Sequence, residues 1–259
     1  MYGYAEMAQN SPLKDKPLQN PGQGLDEKID AFLNDKLMLY VLVPVVVWVM
    51  AGMESIAAIR NAPRTPGVYA AFALGLTVYG GIRVWAGRKE LRNLRLGRDG
   101  ERAVGQFLEA LRVDGARIFH DIPGDKFNLD HVVLAEQGVF VIETKTRTKP
   151  NPNSSVVFDG DQILIAGHAP DRDPITQSAA QVRWLQQLIK ESTGKEFPVR
   201  GVVVFPGWFV ERTDAARKSS LWVLEPKALP SFIDHEPKRI SPSDVALAAF
   251  HLSRFIRSA

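Results

Sequence analysis

Three charged residues near the middle of the chain have the types and spacing of a metal-binding site. Asp130 is followed, after twelve intervening residues, by Glu143, and Lys145 lies two positions further on. Two carboxylates and one ammonium group on the same face of a sheet are costly to bury unless a partner offsets their charge. A divalent cation would supply that partner.

The segment that must position these residues is a β-hairpin. Residues 128–145 contain two apolar runs separated by Gln137-Gly138, a dipeptide typical of a tight turn. With these two residues at the turn, Glu136 pairs with Val139 and Asp130 lies opposite Lys145.

The predicted pairing also determines which side chains share a face. Directly paired residues of an antiparallel ladder project from the same side of the sheet. Asp130, Glu143 and Lys145 therefore share one face, whereas His131 and Thr144 point to the other, and we expect His131 to have a structural role.

The spacing of these residues resembles the core of the PD-(D/E)XK nucleases, and its wider context resembles the nuclease-related domain, NERD, of that superfamily. The resemblance covers roughly residues 97–225. The segments that carry it are Gly100-Glu101, Asn128–His131, Gly138–Lys145, and Pro174 with Gln177 and Gln181.

The resemblance implies a metal-dependent phosphodiesterase site. In this family the two acids, here Asp130 and Glu143, bind the metal together with the backbone carbonyl that follows, here that of Thr144. Lys145 would orient the attacking water or stabilise developing negative charge. The expected ion is Mg²⁺, with Mn²⁺ as a substitute, since carboxylates and water are its usual ligands.

Three further residues are catalytic candidates with simpler alternatives. Glu101 either reaches the metal, directly or through water, or is a first-turn acid that interacts favourably with the helix dipole. Gln177 and Gln181 are four residues apart and so share a helix face. The family pattern puts such glutamines beside the acidic site, and the alternative is an ordinary polar stripe.

Two uncharged segments precede this region. Residues 37–53 and 65–82 contain no charged side chain, and each is long enough for a short membrane span. They predict a transmembrane helical hairpin with helices at about 37–58 and 65–85. The alternative is a pair of buried helices in a soluble domain, but neither segment has a polar face.

The distribution of Lys and Arg predicts the orientation of the hairpin. Two arginines, Arg60 and Arg64, lie in the connection, against eight Lys or Arg residues on the outer flanks. We therefore expect a multi-pass protein of the inner cell membrane, with both termini and the nuclease-like domain in the cytoplasm.

The stretch Arg83–Arg98 is strongly basic and predicts a helix next to the membrane. We expect it to attract anionic lipid headgroups, at about 1 kcal/mol per basic residue near the surface. Contact with nucleic-acid phosphates is the alternative.

Overall composition is less informative. Cysteine is absent, which excludes disulfides and thiolate metal sites. Residues 1–98 hold 12 Lys or Arg against 8 Asp or Glu, whereas residues 99–259 hold 20 against 21. The nuclease-like region is thus near neutral, and its charge gives no argument for nucleic-acid binding.

The predicted organisation has four parts. They are a mostly disordered tail (1–35) with a helical stripe from Leu25 to Lys36, the transmembrane hairpin (36–86), a basic linker helix (87–98) and the nuclease-like domain (99–259). The domain is predicted to be an α/β/α sandwich of the restriction-endonuclease type with a mixed sheet. Its predicted elements are helices at 99–111, 174–192, 226–234 and 242–257, strands at 117–120, 199–205 and 220–224, and hairpins at 129–145 and 156–166.

The leading functional hypothesis is a membrane-tethered, Mg²⁺-dependent nuclease, with DNA favoured over RNA by family analogy alone. A non-catalytic membrane-anchored module that binds nucleic acid or a protein through the same fold is the main alternative. A structural hairpin protein in a complex has no direct support in the sequence. Strand preference, endo- or exonuclease action and oligomeric state are not determined by these patterns.

Overall fold

The computed structural model describes residues 16–59, 65–125 and 127–258. These residues form two compact units. One comprises residues 24–95, and the other comprises residues 96–258 together with residues 16–23.

The first unit is helical. Side chains of its two long helices touch: Trp48 Nε1 donates to Thr77 Oγ1 at 3.0 Å, and Arg83 Nε donates to the Tyr40 hydroxyl at 3.1 Å. The helices of this part of the chain are α1 (Gln23–Ala31), a π-helical turn (Phe32–Leu37), α2 (Met38–Ile59) and α3 (Pro66–Glu109).

Both long helices are apolar enough to cross a membrane by length and composition. The most apolar 18-residue windows of Gln23–Ile59 and Pro66–Arg112 have mean hydropathies of 2.0 and 1.3. Only 11% of each window is buried within the chain, unlike the core helix of a soluble protein. Membrane crossing stays a prediction, and the arginines of the connection, Arg60 and Arg64, lie outside the described residues.

The structure bears on the predicted disordered tail (1–35) and corrects the prediction of two separate helices after the hairpin. Residues 1–15 of this tail lie outside the described residues. Pro21 and Gly22 pack on the rest of the second unit, since a β-carbon on Gly22 would lie 3.1 Å from Arg98 Cγ. The expected separate helices at 83–98 and 99–111 are instead parts of the unbroken helix α3. The Asp99-Gly100 pair does not interrupt it, because the backbone hydrogen bonds of a helix tolerate one glycine at a cost of about 1 kcal/mol.

The second unit is a mixed α/β domain, as predicted. Its main sheet has the strand order β1-β2-β3-β6-β8, antiparallel from β1 to β3 and parallel from β3 to β8. The elements that pack on this sheet or belong to it are β1 (Arg117–Pro123), β2 (Asn128–Ala135), β3 (Gly138–Thr144), α4 (Pro174–Thr193), β6 (Val199–Val204), β8 (Trp222–Leu224), α6 (Leu229–Asp234) and α7 (Pro242–Ser258).

A smaller sheet lies beside the main one. It contains β4 (Ser155–Phe158), β5 (Ile163–Ile165) and β7 (Phe209–Arg212), with the short helix α5 (Asp214–Arg217) following β7. The β4-β5 hairpin was predicted, whereas β7 was not. The sequence FVER of β7 has only two apolar residues, and its pairing partner β4 lies about fifty positions earlier in the chain.

Apolar side chains cover both faces of the main sheet. Val132 and Val141 pack with residues of α4 and α7 on one face. Val133 and Ile142 pack with the end of α3 and with α6 on the other. Alternation along β2 and β3 therefore gives each strand two buried faces, and polar residues among them require a specific partner.

The predicted hairpin is present, but its register differs by two residues. Ala135 pairs with Gly138 and Val132 with Val141, so Glu136 and Gln137 form the turn. Gly138, with φ +152°, is the first residue of β3. The backbone N–H groups of Arg239 and Ile240 both donate to the Glu136 carbonyl, and these distant contacts hold Glu136 outside the ladder.

Candidate active site

Glu143 is the most fully hydrogen-bonded charged residue of the predicted site. Its side chain is buried on β3, next to the end of the strand. Lys145 Nζ and Gln177 Nε2 both donate to its Oε1 at 2.7 Å, and Gln181 Nε2 donates to Oε2 at 2.6 Å. A carboxylate can remain charged when buried if it accepts several such bonds.

Lys145 joins the two layers of this cluster. Its ammonium group also donates to Gln177 Oε1 at 2.8 Å, so it bridges β3 and α4. About a quarter of the Lys145 side chain is exposed. The ammonium group therefore lies at the boundary between the buried carboxylate and solvent, where a bound anion could reach it.

Helix α4 supplies Gln177 and Gln181, which lie on successive turns of the helix. Its first turn is held by Asp173, whose carboxylate accepts the backbone N–H groups of Ile175 and Thr176, and Pro174 occupies the first helical position. This start places Gln177 and Gln181 on the side that faces β3. They therefore contact Glu143 directly and do not form a solvent-exposed polar stripe.

Asp130 lies at the same end of the hairpin. Its Oδ2 accepts the backbone N–H of Thr144 at 2.7 Å. Burial, followed by the negative charges of Glu143 and Glu101, raises the pKa of the Asp130 carboxyl well above its ordinary value. The Thr144 hydrogen bond and the charge of Lys145 oppose this rise, so the local charge is dominated by carboxylates.

Glu101 reaches this region because of the residue before it. A β-carbon on Gly100 would overlap the Thr146 side chain, so only glycine lets α3 approach the chain this closely just after Lys145. The charge of Glu101 is close enough to affect the Asp130 carboxyl. Its role as a metal ligand stays a prediction, as does that of the Thr144 carbonyl.

Mg²⁺ binding by these residues stays a prediction. Within the described residues, no group of three or more His, Asp or Glu side chains is gathered to hold a metal. Mg²⁺ commonly binds through one or two carboxylates and keeps several waters. Gln181 Oε1, which is buried beside Glu143 without a hydrogen-bond partner, provides an acceptor that a water of such an ion would satisfy.

His131 points away from the cluster, which confirms the prediction from strand alternation. Its Nδ1 lies 2.8 Å from Nδ1 of His120, its directly paired neighbour on β1. Burial and the neighbouring imidazole lower the pKa of His131 well below its usual value. The sequence analysis missed this contact, since the pairing of β1 with β2 has no local signal.

Comparison with other proteins is consistent with a nuclease-like domain. The chain is 27% identical over 100 residues to an uncharacterized protein of Bacillus anthracis, covering 37% of this chain and 47% of that protein. The match thus spans about half the length of the curated relative. No solved structure matches significantly. Residues 96–206, which include all six predicted catalytic residues, match the family described as NERD, the nuclease-related domain.

Proposed function

We propose that this protein is a membrane-tethered, metal-dependent nuclease that hydrolyses phosphodiester bonds, with DNA favoured over RNA. The observation that carries the proposal is the Glu143 cluster. Glu143, Lys145, Gln177 and Gln181 are joined by four direct hydrogen bonds at the strand end where Asp130 lies. The domain around them would be a sandwich of the restriction-endonuclease type.

Asp130 and Glu143 would hold Mg²⁺ or Mn²⁺, with the Thr144 carbonyl as a third oxygen. Such an ion lowers the pKa of bound water and offsets charge on the phosphoryl group. Gln177 and Gln181 fix the orientation of the Glu143 carboxylate. Lys145 is the only cation that bonds this carboxylate in the described residues, and it would stabilise negative charge or orient the attacking water.

Basic and aromatic residues next to the cluster support a nucleic-acid substrate. Arg147 is two residues beyond Lys145, and its carbonyl accepts the Trp208 indole N–H at 3.1 Å. Lys149 lies over the Trp208 ring, 5.5 Å from its centroid, and Phe209 is 68% exposed. Cations that contact phosphates and an exposed ring that stacks on bases are the usual components of a nucleic-acid surface.

The membrane attachment in this proposal rests on α2 and on the apolar part of α3. We infer an inner-membrane protein with both termini in the cytoplasm and with Arg83–Arg98 near anionic lipid headgroups. Reporter fusions after Ala259 and at Asn61 should give opposite signals. A reporter signal at Ala259 from the non-cytoplasmic side would contradict the proposed orientation.

A cleavage assay tests the nuclease proposal. The full chain in detergent would be incubated with single- and double-stranded DNA and RNA, in the presence of Mg²⁺, Mn²⁺ or EDTA. We expect metal-dependent cleavage that Glu143→Gln abolishes. Glu191→Gln, a matched change at an exposed acid of α4 that accepts a bond from Gln187, should cleave like the wild type.

A non-catalytic binding module is favoured by one observation. Glu143 already accepts three hydrogen bonds from its own domain, so its carboxylate has partners without a ligand. If the wild type binds nucleic acid or a protein but cleaves no substrate with either metal, this alternative replaces the nuclease proposal.

A further inference from the structure

A pocket lies at the edge of the main sheet formed by β8. It has a volume of about 280 Å³ and is lined by residues of β7, α5, β8 and α6. Trp222 pairs with Val202 of β6, and its ring packs on the face that also holds Phe140 and Ile142. Glu143 lies on β3, which β6 separates from β8, and no residue of the Glu143 cluster lines the pocket.

The pocket contains two arginines in an unusual arrangement. Arg212 is partly buried, and no carboxylate pairs with it in the part of the chain that the structure describes. Its guanidinium group lies 4.6 Å from the centroid of the Phe232 ring. Burial, and then the positive charge of Arg217, lowers the pKa of Arg212. Two like charges facing one cavity repel each other, and a bound anion would relieve that repulsion.

The one acid that pairs with these arginines does not compensate them. Asp214 Oδ1 lies 3.3 Å from a guanidinium nitrogen of Arg217. Both side chains are largely exposed to solvent, Asp214 at 93% and Arg217 at 68%. Exposed pairs of this kind contribute little stability, in the range of about 0–1 kcal/mol. The Arg217 guanidinium can therefore turn towards an anion in the pocket at little cost.

The wall of the pocket is aromatic and held from several sides. Trp222 stacks on Phe140 with centroids 5.6 Å apart and meets the edge of Phe232 at 5.3 Å. Arg200 lies over the Trp222 ring at 4.6 Å and donates to the Ser220 carbonyl at 3.2 Å. A preorganised wall of this kind lowers the entropy lost on binding a flat or ring-shaped group.

We propose that this pocket binds a phosphate group, with Arg212 and Arg217 as its donors and the wall of Trp222 and Phe232 beside the attached sugar or base. Guanidinium groups bind phosphate oxygens in pairs, with short charge-assisted hydrogen bonds. The volume is at the small end for ligand pockets, which suits a phosphate with one attached ring. The phosphate can come from a free nucleotide or from a nucleic-acid strand.

Binding measurements on the full chain in EDTA test this proposal independently of cleavage. Inorganic phosphate, a nucleoside 5′-monophosphate and a short oligonucleotide would be titrated calorimetrically into the wild type and into Arg212→Gln. We expect wild-type dissociation constants of about 1 mM or below, corresponding to roughly −4 kcal/mol, and at least about tenfold weaker binding by Arg212→Gln. Arg183→Gln, at an exposed arginine of α4, should bind like the wild type.

The three ligands distinguish the source of the phosphate. Tighter binding of the monophosphate than of inorganic phosphate would identify a nucleotide site, and tighter binding of the oligonucleotide would identify a strand-binding site. Arg217→Gln, at an exposed position, provides a second variant if Arg212→Gln does not fold. The proposal is overturned if the wild type binds none of the three at about 10 mM, or if the foldable variants bind as tightly as the wild type.

Discussion

Asp130 and His131 are neighbours on β2, yet they belong to two very different polar clusters on opposite faces of one sheet. On one face, two glutamine amides and the Lys145 ammonium group donate to the Glu143 carboxylate. On the other, His120 and His131 contact each other, and burial lowers the pKa of both. The first cluster gathers acidic side chains, and the second is a contact between two imidazoles.

This difference separates a candidate reactive site from a structural contact. Keeping several carboxylates together raises the free energy of the folded state unless a cation joins them. A neutral imidazole pair carries no such penalty and needs no ligand. The protein thus gathers several acidic side chains at this end of the hairpin, as expected where a metal or a developing charge is to be bound.

The largest expected effect is on catalysis, and it should be confined to the charged face. Asp130→Asn, Glu143→Gln and Lys145→Ala should each lower the cleavage rate by at least about 10³-fold. The double variant Asp130→Asn, Glu143→Gln should be no slower than the slower single variant, because the residues act as one unit. His131→Phe should keep the cleavage rate within a few-fold of the wild type. Loss of cleavage in this variant would remove the distinction between the two faces.

A smaller effect is expected from the glutamines. Gln177→Ala and Gln181→Ala should each lower the rate by about 10–100-fold, the usual loss when a group that orients a metal ligand is removed. Gln187→Ala is the matched control on the same helix, since the Gln187 side chain donates to the exposed Glu191. Equal activity of all three variants would mean that Gln177 and Gln181 do not orient Glu143.

The shared face of Asp130, Glu143 and Lys145 was predictable even though the register was wrong. The predicted and observed registers differ by two residues, and side chains alternate with a period of two. An even shift leaves every residue on its own face, whereas an odd shift would have exchanged the two faces. Strands β6 and β8 and helices α4 and α7 were predicted for similar reasons, because their apolar patterns are strong and local.

Features that depend on distant segments could not be predicted. The turn at Glu136 is fixed by backbone donors about a hundred residues later. The contact between His120 and His131 depends on strand pairing, and the packing of Pro21 against Gly105 depends on the tertiary fold. The pocket proposed to bind phosphate brings Arg212 next to Trp222 and Phe232. Arg212 belongs to β7, a strand that was not predicted.

The two faces should also differ in the pH dependence of stability. The histidine pKa values are lowered in the folded state, so below about pH 6.5 the unfolded chain takes up protons that the folded chain does not. The stability that the histidine pair contributes is therefore lost as pH falls. The loss is about 1.4 kcal/mol for each unit by which the folded and unfolded pKa values differ. Thermal melts between pH 5 and 7.5 should show a smaller loss of stability for His131→Phe than for the wild type, and an equal loss would contradict this role of the histidine pair.

The smallest effect is expected from the charge of Asp130 itself. Its contribution to stability changes with pH in the direction opposite to that of the histidine pair. The pKa of Asp130 is raised in the folded state, so its stabilising contribution is present below its unfolded value and is lost as pH rises through the folded pKa. Asp130→Asn keeps an oxygen that can accept the Thr144 N–H but removes the charge, and it should melt roughly 2–4 °C higher at neutral pH, the change that about 1 kcal/mol produces. The difference in melting temperature between the variant and the wild type should close as pH falls below the usual pKa range of aspartate.

Mg²⁺ should raise the melting temperature of the wild type more than that of Asp130→Asn. A variant less stable than the wild type in EDTA at neutral pH would mean that Asp130 is a structural residue, and that the two faces do not differ in the way proposed.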